Sequence, residues 1–372
     1  MAIEDILMFD ETIFKNITVF NPDYMPENYN FRDTQMEAMA MAIRPALRDG
    51  RPVNSVVLGH CATGKTTAVK KVFELVEKTS NKVVCCYINC QLHITRFGIF
   101  AQIHKKLFGH EPPETGVPFS KIYQKVMKHL SNEGQSLVVA FDDVNYLFQG
   151  NNGNKVFYDI LRAYEEFPGV RTGIFAILSD LEFRFALDKN VNTVFIPHDI
   201  VFNPYKRNEI FNILLDRAKA GFFDGVISEE LIDEITDCTL ESGDLRTGID
   251  LLRVCGNIAE ANASKTIEQD HLNEALSKKV SLNLIETYKS LSKVEHELLS
   301  IIMESPELIP AGELADLFRA KTKVSYATFN RTLEKLEFLR LIDTKFTGKG
   351  TRGNSRQIIL RFDPSDIKSC KL

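Results

Sequence analysis

The stretch that decides the fold is SVVLGHCATGKT, residues 55–66 of a 372-residue chain. Its apolar run predicts a β-strand that ends at Leu58, and a helical pattern follows from Thr66. Residues 59–66 fit the pattern GxxxxGK[ST], in which glycines let backbone N–H groups turn inward around an anion. Lys65 is expected to reach terminal phosphates, and the Thr66 hydroxyl is expected to bind Mg²⁺. The predicted nucleotide-binding residues are Gly59, Ala62, Thr63, Gly64, Lys65, Thr66 and Thr67.

A second apolar run ends in two carboxylates. Residues 137–141 predict a buried strand, and Asp142 and Asp143 follow it directly. A phosphate loop needs a second Mg²⁺ partner at the end of a neighbouring strand, so Asp142 is predicted to hold the metal, directly or through water. Asp143 stands where a base would orient the attacking water, which makes it a catalytic candidate.

Three regions are predicted along the chain. Short apolar runs alternate with amphipathic helical patterns from Val53 to Leu178, which predicts an α/β fold with a parallel sheet covered by helices on both faces. Beyond Pro204 only helical patterns remain, as in a separate small bundle, and residues 278–292 are predicted to be a connector. Three more helices and two strands then follow in winged-helix order. The expected domains are a nucleotide-binding domain (1–200), an all-α domain (201–280) and a winged-helix domain (281–372).

Charge is distributed unevenly along the chain. The net charge is −5, yet residues 319–361 carry eleven Lys and Arg against three Asp and Glu, a local charge of +8. The first 318 residues carry −13, so a basic module follows an acidic body, as in a protein whose tail binds nucleic acid.

Composition excludes disordered, collagen-like and disulfide-scaffold classes. No apolar stretch approaches the roughly 18 residues that span a bilayer, so no membrane partner is expected. Residues 1–30 are predicted to be polar and irregular. Their first residues include acidic ones, whereas a secretory signal peptide begins with a basic region. The seven cysteines form no CxxC pair and are expected to be buried, reduced thiols. The predicted location is cytoplasmic, in association with the nucleoid.

The helical block contains a further motif, SGDLRTGIDLLR, at residues 242–253. Together with the two phosphate-site motifs, it makes the chain similar, nearly end to end, to the AAA+ replication initiators of archaea. These are relatives of the eukaryotic origin-recognition subunit and the cell-division-cycle helicase loader. Residues 21–35 resemble the segment that leads into the family's fold, and we call them the leading segment. Residues 87–90 resemble the family's second strand, and residues 202–205 resemble the start of its lid. Residues 95–108 resemble the extra helix of initiators.

The resemblance implies an AAA+ nucleotide-binding domain, an all-α lid and a C-terminal winged helix, with ATP or ADP and Mg²⁺ as cofactors. Arg246 matches the lid arginine that senses the terminal phosphate. Tyr205 and Arg217 match positions that hold the nucleotide. Twelve residues of helix span about 18 Å and turn by about 120°, so both reach one ligand only if Tyr205 precedes the helix.

Three positions depart from the family's pattern. Asp143 stands in place of a Glu, which retracts the carboxylate, and a displacement near 1 Å can lower a rate about a hundredfold. Ser179 stands where the family has an Asn that positions water. Asn190 stands where an arginine finger is expected, with Arg184 and Lys189 nearby, and such a finger is worth roughly 10³ to 10⁵ in rate. The expected behaviour is firm nucleotide binding with slow or absent hydrolysis.

The last predicted helix and the hairpin after it carry the candidate DNA contacts. Phe329, Leu333 and Leu336 recur at core spacing. The opposite face can enter a major groove, and residues 345–356 are predicted to form a flexible basic tip for phosphate or minor-groove contact. The predicted DNA-binding residues are Thr328, Arg331, Lys335, Lys345, Lys349, Arg352 and Arg356.

The leading hypothesis is a nucleotide-controlled initiator that binds double-stranded origin DNA, with the replicative helicase and other initiator subunits as partners. A second hypothesis is a non-enzymatic DNA-binding regulator that keeps nucleotide as a structural cofactor. A third is a signalling NTPase that uses its winged helix to sense a ligand or protein. Salt dependence distinguishes the third, because neutralising DNA phosphates makes affinity fall steeply with salt.

Overall fold

The computed structural model describes residues 12–27, 29–113, 116–149, 152–179, 187–305, 309–322, 324–339, 341–350 and 353–361. For 279–286, 345–350 and 353–356 the description covers the backbone alone. The chain divides into two compact units, Met1–Glu268 (unit 1) and Gln269–Leu372 (unit 2). None of the described helices combines the length and the apolar character that crossing a membrane requires.

Unit 1 is built on a parallel sheet. Its strands are β1 Ser55–Gly59, β2 Val83–Asn89, β3 Ser136–Asp142, β4 Arg171–Leu178 and β5 His198–Phe202. They lie in the order β2-β3-β4-β1-β5, with every pair parallel. Every residue of β3 is buried, because helices cover both faces of the sheet. This confirms the α/β prediction.

Helices cover the two faces. They are α1 Asp33–Ile43, α2 Lys65–Thr79, α3 Arg96–Phe108, α4 Phe119–Glu133, α5 Asn145–Gln149, α6 Gly153–Leu161, α7 Ala163–Glu166 and α8 Lys189–Asn192. Val138 belongs to the apolar cluster with α1 and α2, whereas its neighbour Val139 belongs to the cluster with α3, α4 and α6. Strand side chains alternate in this way because successive residues point to opposite faces.

The parallel register brings the candidate site together. Asn89 pairs with Asp142 across β2 and β3, and Gly59 pairs with Phe202 across β1 and β5. Leu58 pairs with Leu178, the last residue of β4. All the strands therefore end at one edge, where an open α/β sheet binds its ligand.

A helical block follows β5 within unit 1 and packs against the N-terminal segment. Its helices are α9 Arg207–Gly221, α10 Glu229–Ser242 and α11 Leu245–Ala261. The rings of Phe14 and Phe20 lie 5.1 Å and 4.8 Å from that of Phe222, and the Asn16 amide donates to Gly221 O. The expectation of a polar, irregular segment holds for most of 12–27, but it is wrong for the buried residues Ile13, Phe14, Val19 and Phe20. It could not foresee their burial, because Phe222 lies about two hundred residues away in sequence.

Unit 2 begins with a long helix, α12 Gln269–Ser290. The connector predicted over residues 278–292 is therefore wrong for most of its length. That stretch contains neither Gly nor Pro, so nothing in the local sequence ends the helix.

Three helices and a small antiparallel sheet complete unit 2. They are α13 Lys293–Glu304, β6 Ile309–Pro310, α14 Ala311–Thr322, α15 Tyr326–Phe338, β7 Ile342–Gly350 and β8 Gly353–Leu360. The sheet has the order β6-β8-β7, and Leu298, Phe318 and Phe329 are buried beneath it. This is the element order expected of a winged helix, with the short β6 in addition. The predicted flexible tip is wrong over most of 345–356, because β7 and β8 pair as far as Gly350 and Gly353.

The cysteines divide into two environments. Cys85, Cys86, Cys90 and Cys255 are buried, and burial raises the pKa of each thiol to about 12. Cys61 is exposed, so the expectation of buried thiols is wrong for this residue of the phosphate loop. Cys238 is half-buried, and Cys370 lies outside the described residues.

Candidate functional site

The phosphate loop joins β1 to α2, whose first residue is Lys65. Gly64 has a φ of 89°, a left-handed conformation that favours glycine. A Cβ atom at this position would also collide with the hydroxyl oxygens of Tyr29 and Tyr205. Thr63 is buried, and its Oγ1 donates to the carbonyl of His60 at 2.8 Å. The loop is therefore held in one shape by its own backbone and by two tyrosines.

The Lys65 ammonium lies inside the loop. Its Nζ donates to the carbonyl oxygens of Gly59 at 2.6 Å and His60 at 2.7 Å. Burial lowers the pKa of Lys65, an effect that Cys61 and then Asp142 and Asp143 oppose. The positive charge of Arg246 also lowers that pKa.

Asp142 is the buried acceptor of the site. Its Oδ2 accepts from Thr66 Oγ1 at 2.6 Å and from the Tyr87 hydroxyl at 2.7 Å, and its Oδ1 accepts from the Asp143 amide at 3.1 Å. Burial, and then the charge of Asp142, raises the pKa of Tyr87 far above its usual range, so Tyr87 stays a donor. The structure thus brings together Thr66 and Asp142, the two predicted metal ligands.

The two predicted water-positioning residues have polar neighbours. Asp143 has a φ of 51°, and its Oδ2 accepts from Gln91 Nε2 at 2.7 Å. Ser179 follows β4 and is exposed, and its Oγ lies 3.7 Å from Cys61 Sγ. Asn190 and Lys189 are exposed on the short helix α8, and Arg184 lies outside the described residues.

The predicted lid contacts lie in different environments. Tyr205 is buried and precedes α9, which satisfies the geometric condition for its sharing a ligand with Arg217. Arg217 donates from Nη1 to Val19 O at 2.6 Å and lies 4.6 Å from the Tyr24 ring, and burial lowers its pKa. Arg246 is exposed in the first turn of α11.

Unit 2 presents the predicted DNA face on α15. Phe329, Leu333 and Leu336 are buried as their spacing predicts, and Arg331 is exposed. Lys335 is exposed too, but its Nζ donates to Glu295 Oε1 at 2.8 Å. Thr328 is half-buried at the start of the helix, where its amide donates to Ser325 Oγ. Lys345, Lys349 and Arg356 are described by backbone alone, on β7 and β8, and Arg352 lies outside the described residues.

Sequence reasoning missed four residues that shape the phosphate site. Tyr29 donates from its hydroxyl to Gly64 O at 2.6 Å, and Arg32 donates from Nε to Thr63 O at 3.0 Å. Both lie in the leading segment, whose family resemblance is the signal that points to them. Tyr87 and Gln91 lie at the end of β2 and just beyond it, and their positions beside β3 follow only from the sheet order.

Solved structures share the fold of the chain. The structure of the Aeropyrum pernix ORC1 protein in complex with DNA superposes with a TM-score of 0.70 at 24% identity, covering 97% of each chain. The Aeropyrum pernix ORC2 protein, solved as ADPNP–ADP complexes, gives a TM-score of 0.64 at 24% identity, covering 96% of each chain. At this level of identity, the similarity shows the fold alone.

Relatives at higher identity show the family. A family model described as the Cdc6 AAA+ ATPase-type lid domain matches residues 211–277. The ORC1-type DNA replication protein 2 of Methanosarcina acetivorans is 40% identical over 370 residues, covering 100% of this chain and 99% of that protein. Its namesake in Methanothermobacter thermautotrophicus is 63% identical over 368 residues, covering 99% and 97%. Identity of this degree over nearly the whole length of both proteins shows that the chain belongs to the archaeal ORC1-type DNA replication proteins, the AAA+ replication initiators.

Proposed function

We propose that the chain binds ATP or ADP with Mg²⁺ at its phosphate loop and recognises double-stranded replication-origin DNA through unit 2. The observation that carries the nucleotide half is the hydrogen bond from Thr66 Oγ1 to Asp142 Oδ2 at 2.6 Å. This bond brings together one oxygen from the phosphate loop and one from the last residue of β3, although β4 separates β3 from β1 in the sheet. The ADPNP–ADP complexes of the Aeropyrum pernix ORC2 protein support the same ligand class.

The residues present fit a magnesium nucleotide. Mg²⁺ prefers oxygen ligands and is usually held by one or two protein groups together with phosphates and water, as Thr66 and Asp142 would hold it. When bound, the ion neutralises charge on the terminal phosphates. Lys65 supplies a second positive charge within the loop, and the amides at the start of α2 supply donors for the phosphate oxygens.

Hydrolysis in this proposal is slow. Asp143 is one methylene shorter than the Glu of the family pattern, and Gln91 already donates to one of its carboxylate oxygens. Ser179 offers a hydroxyl where an amide is usual, and Asn190 cannot supply the charge of an arginine finger. These three substitutions weaken the orientation of the attacking water and the stabilisation of the transition state. They leave the groups that bind nucleotide intact.

The DNA half of the proposal rests on unit 2. Arg331 is exposed on α15 while the opposite side of that helix is buried in the core, so the helix has one outward polar face. The segment that contains α15, residues 319–361, carries a local charge of +8. The Aeropyrum pernix ORC1 protein, which shares the fold, was solved in complex with DNA. Family membership also supports a role in loading the replicative helicase together with other initiator subunits.

A second candidate is a DNA-binding regulator that keeps its nucleotide without turning it over. The hydrogen bond between Gln91 and Asp143 favours it, because this bond occupies the carboxylate that would act as base. A DNA-stimulated turnover assay separates the two candidates. Hydrolysis that is measurable in the unmutated chain and lost in Asp142→Asn would exclude the inert regulator.

Calorimetric titration of the full chain with Mg·ADP and Mg·ATP tests the nucleotide half. Lys65→Ala removes a buried charged donor worth about 3 kcal/mol, so we expect an affinity loss of about 100-fold. Lys78→Ala is the matched control, because Lys78 lies on the same helix and pairs with the exposed Glu74. A chain that takes up no nucleotide before mutation would contradict the proposal.

A further inference from the structure

Arg32 joins three segments that are far apart in sequence. It is buried, with 4% of its surface exposed, at the residue before α1. Its Nε donates to Thr63 O of the phosphate loop at 3.0 Å, and its Nη2 donates to Asn203 O at 2.8 Å. Its Nη1 donates to Phe31 O in its own segment at 3.2 Å. One guanidinium therefore connects the leading segment, the phosphate loop and the chain that runs from β5 into the lid.

Arg32 also stacks on an aromatic ring at the start of the lid. Its guanidinium carbon lies 3.7 Å from the centre of the Tyr205 ring and 5.6 Å from that of Phe202. Tyr205 precedes α9 by two residues, so its ring lies at the start of the first lid helix. A planar guanidinium can stack and donate in three directions at once, which an ammonium group cannot do.

The charge of Arg32 has an unusual environment. Its described hydrogen bonds all go to backbone carbonyls, and none of the described carboxylates forms an ion pair with it. A buried cation without a carboxylate is costly, so a purely structural link between these segments would favour a neutral side chain. A positive charge beside Thr63 does favour the binding of an anion in the phosphate loop, to which Thr63 belongs.

Other contacts hold the leading segment in place without Arg32. The Tyr29 hydroxyl donates to Gly64 O at 2.6 Å, and Lys71 Nζ, on α2, donates to Pro26 O at 2.7 Å. The Lys71 bond reaches α2, and the Tyr29 hydroxyl lies beside both Gly64 and the Tyr205 hydroxyl. Arg32 is the residue among these that donates hydrogen bonds to both the phosphate loop and the chain beyond β5.

We propose that Arg32 is a positioning residue that couples the lid to the phosphate loop and so sets how long a nucleotide stays bound. Movement of Tyr205 and Asn203 shifts the guanidinium, which moves the Thr63 carbonyl and the loop amides beside it. The inference rests on the proposed nucleotide binding and adds a residue to which no role in that binding was assigned. It predicts that the start of the lid influences nucleotide release through the Arg32 side chain.

The test measures release of a fluorescent ADP analogue from the full chain. We expect Arg32→Gln and Arg32→Lys to speed release at least tenfold, because neither side chain keeps both the stacking and the bonds to Thr63 and Asn203. Arg207→Gln is the matched control, since Arg207 also makes three hydrogen bonds, to Asp233 and Asp237 at the surface of the lid. We expect its release rate to stay within twofold of the unmutated rate.

A double-mutant cycle separates coupling from a structural role. If Arg32 acts through Tyr205, Arg32→Gln combined with Tyr205→Leu releases ADP no faster than the faster single variant. Release rates that multiply, or an Arg32→Lys rate equal to that of the unmutated chain, would overturn the inference. Should Arg32→Gln fail to fold by circular dichroism, Arg32→Lys and Tyr205→Leu still decide the question. An unmutated chain that binds no analogue at all would instead refute the proposed function.

Discussion

The phosphate site and the DNA face are built in different ways. In unit 1, Thr66 Oγ1 donates to Asp142 Oδ2, the Lys65 ammonium donates to carbonyl oxygens of the phosphate loop, and Lys65 and Asp142 are buried. In unit 2, Arg331 is exposed and takes part in none of the hydrogen bonds or ion pairs that the described residues show. In the proposed function, the phosphate site binds nucleotide through fixed geometry, and the outward face of α15 binds DNA through accessible charge. Substitutions in the first should therefore act through shape, and those in the second through salt dependence.

Gly64→Ala is expected to have the largest effect. The new Cβ would collide with the Tyr29 and Tyr205 hydroxyls, and the backbone φ of 89° disfavours a residue with a Cβ. We therefore expect the free energy of unfolding to fall by about 3 kcal/mol. We also expect nucleotide binding to become too weak to measure. Gly134→Ala is the control, because Gly134 has a φ of 64° with open space around its Cβ position. Denaturant unfolding should show that the control loses about 1 kcal/mol in free energy of unfolding. Equal losses in the two variants would show that the tyrosines do not constrain the loop.

Asp142→Asn is expected to remove the Mg²⁺ dependence of nucleotide affinity. An amide offers one acceptor where Asp142 now accepts from Thr66, Tyr87 and the Asp143 amide. We expect Mg·ADP affinity to fall about thirtyfold, from the loss of roughly 2 kcal/mol, while magnesium-free affinity changes little. Asp143→Asn is the companion variant, which should keep the Mg²⁺ dependence in calorimetric titrations. If both variants respond to Mg²⁺ alike, the metal is not held at Asp142.

Arg331→Ala should weaken DNA binding about tenfold and leave ADP binding unchanged. Loss of one phosphate contact lowers the slope of log affinity against log salt by about one. Arg319→Ala removes the same charge from the exposed surface of α14 and should preserve the slope. Fluorescence anisotropy with a labelled duplex across a salt series measures both. An unchanged slope in Arg331→Ala would place the DNA contact elsewhere.

Glu295→Gln is expected to have the smallest effect on stability and binding. It tests through pH whether the charges beside α15 are held by ion pairs. Burial raises the pKa of Glu295, but its bonds to Lys335 and Ser292 outweigh this and hold that pKa below its usual value. A depressed carboxyl pKa stabilises the fold above the unfolded pKa, and the stability is lost as pH falls through the folded value. We therefore expect Glu295→Gln to reduce the drop in Tm below about pH 4.5.

The same variant tests the availability of Lys335. Gln preserves the capping box at the start of α13 while releasing the ammonium of Lys335, so DNA affinity should rise about twofold. Glu334→Gln removes one negative charge from unit 2, as Glu295→Gln does, but it leaves the partner of Lys335 in place, so it serves as the control in both measurements. A rise of the same size in the control would mean that net charge alone matters.

Much of the molecule could be predicted from local patterns. The loop at residues 59–66, the acidic pair after β3 and the buried side of α15 each depend on residues a few positions apart. Predictions failed where partners are remote. The burial of Phe14 and Phe20 depends on Phe222, about two hundred residues away. The pairing of the hairpin tip was missed for another reason, because its partners are close in sequence but its Gly-rich, basic composition is typical of a loop. The continuation of α12 through residues 278–290 was missed because this stretch was interpreted as a connector.

The sequence by itself determined the chemistry of the protein: a phosphate loop between a strand and a helix, a carboxylate pair after a buried strand, and a basic tail. These follow from short-range spacing, which the backbone periods of helix and strand translate directly into faces and ends. Only the tertiary structure decided which groups surround that chemistry. Tyr87 reaches Asp142, Gln91 reaches Asp143 and Arg32 joins the loop to the lid side because the strand order of the sheet brings distant segments to one edge.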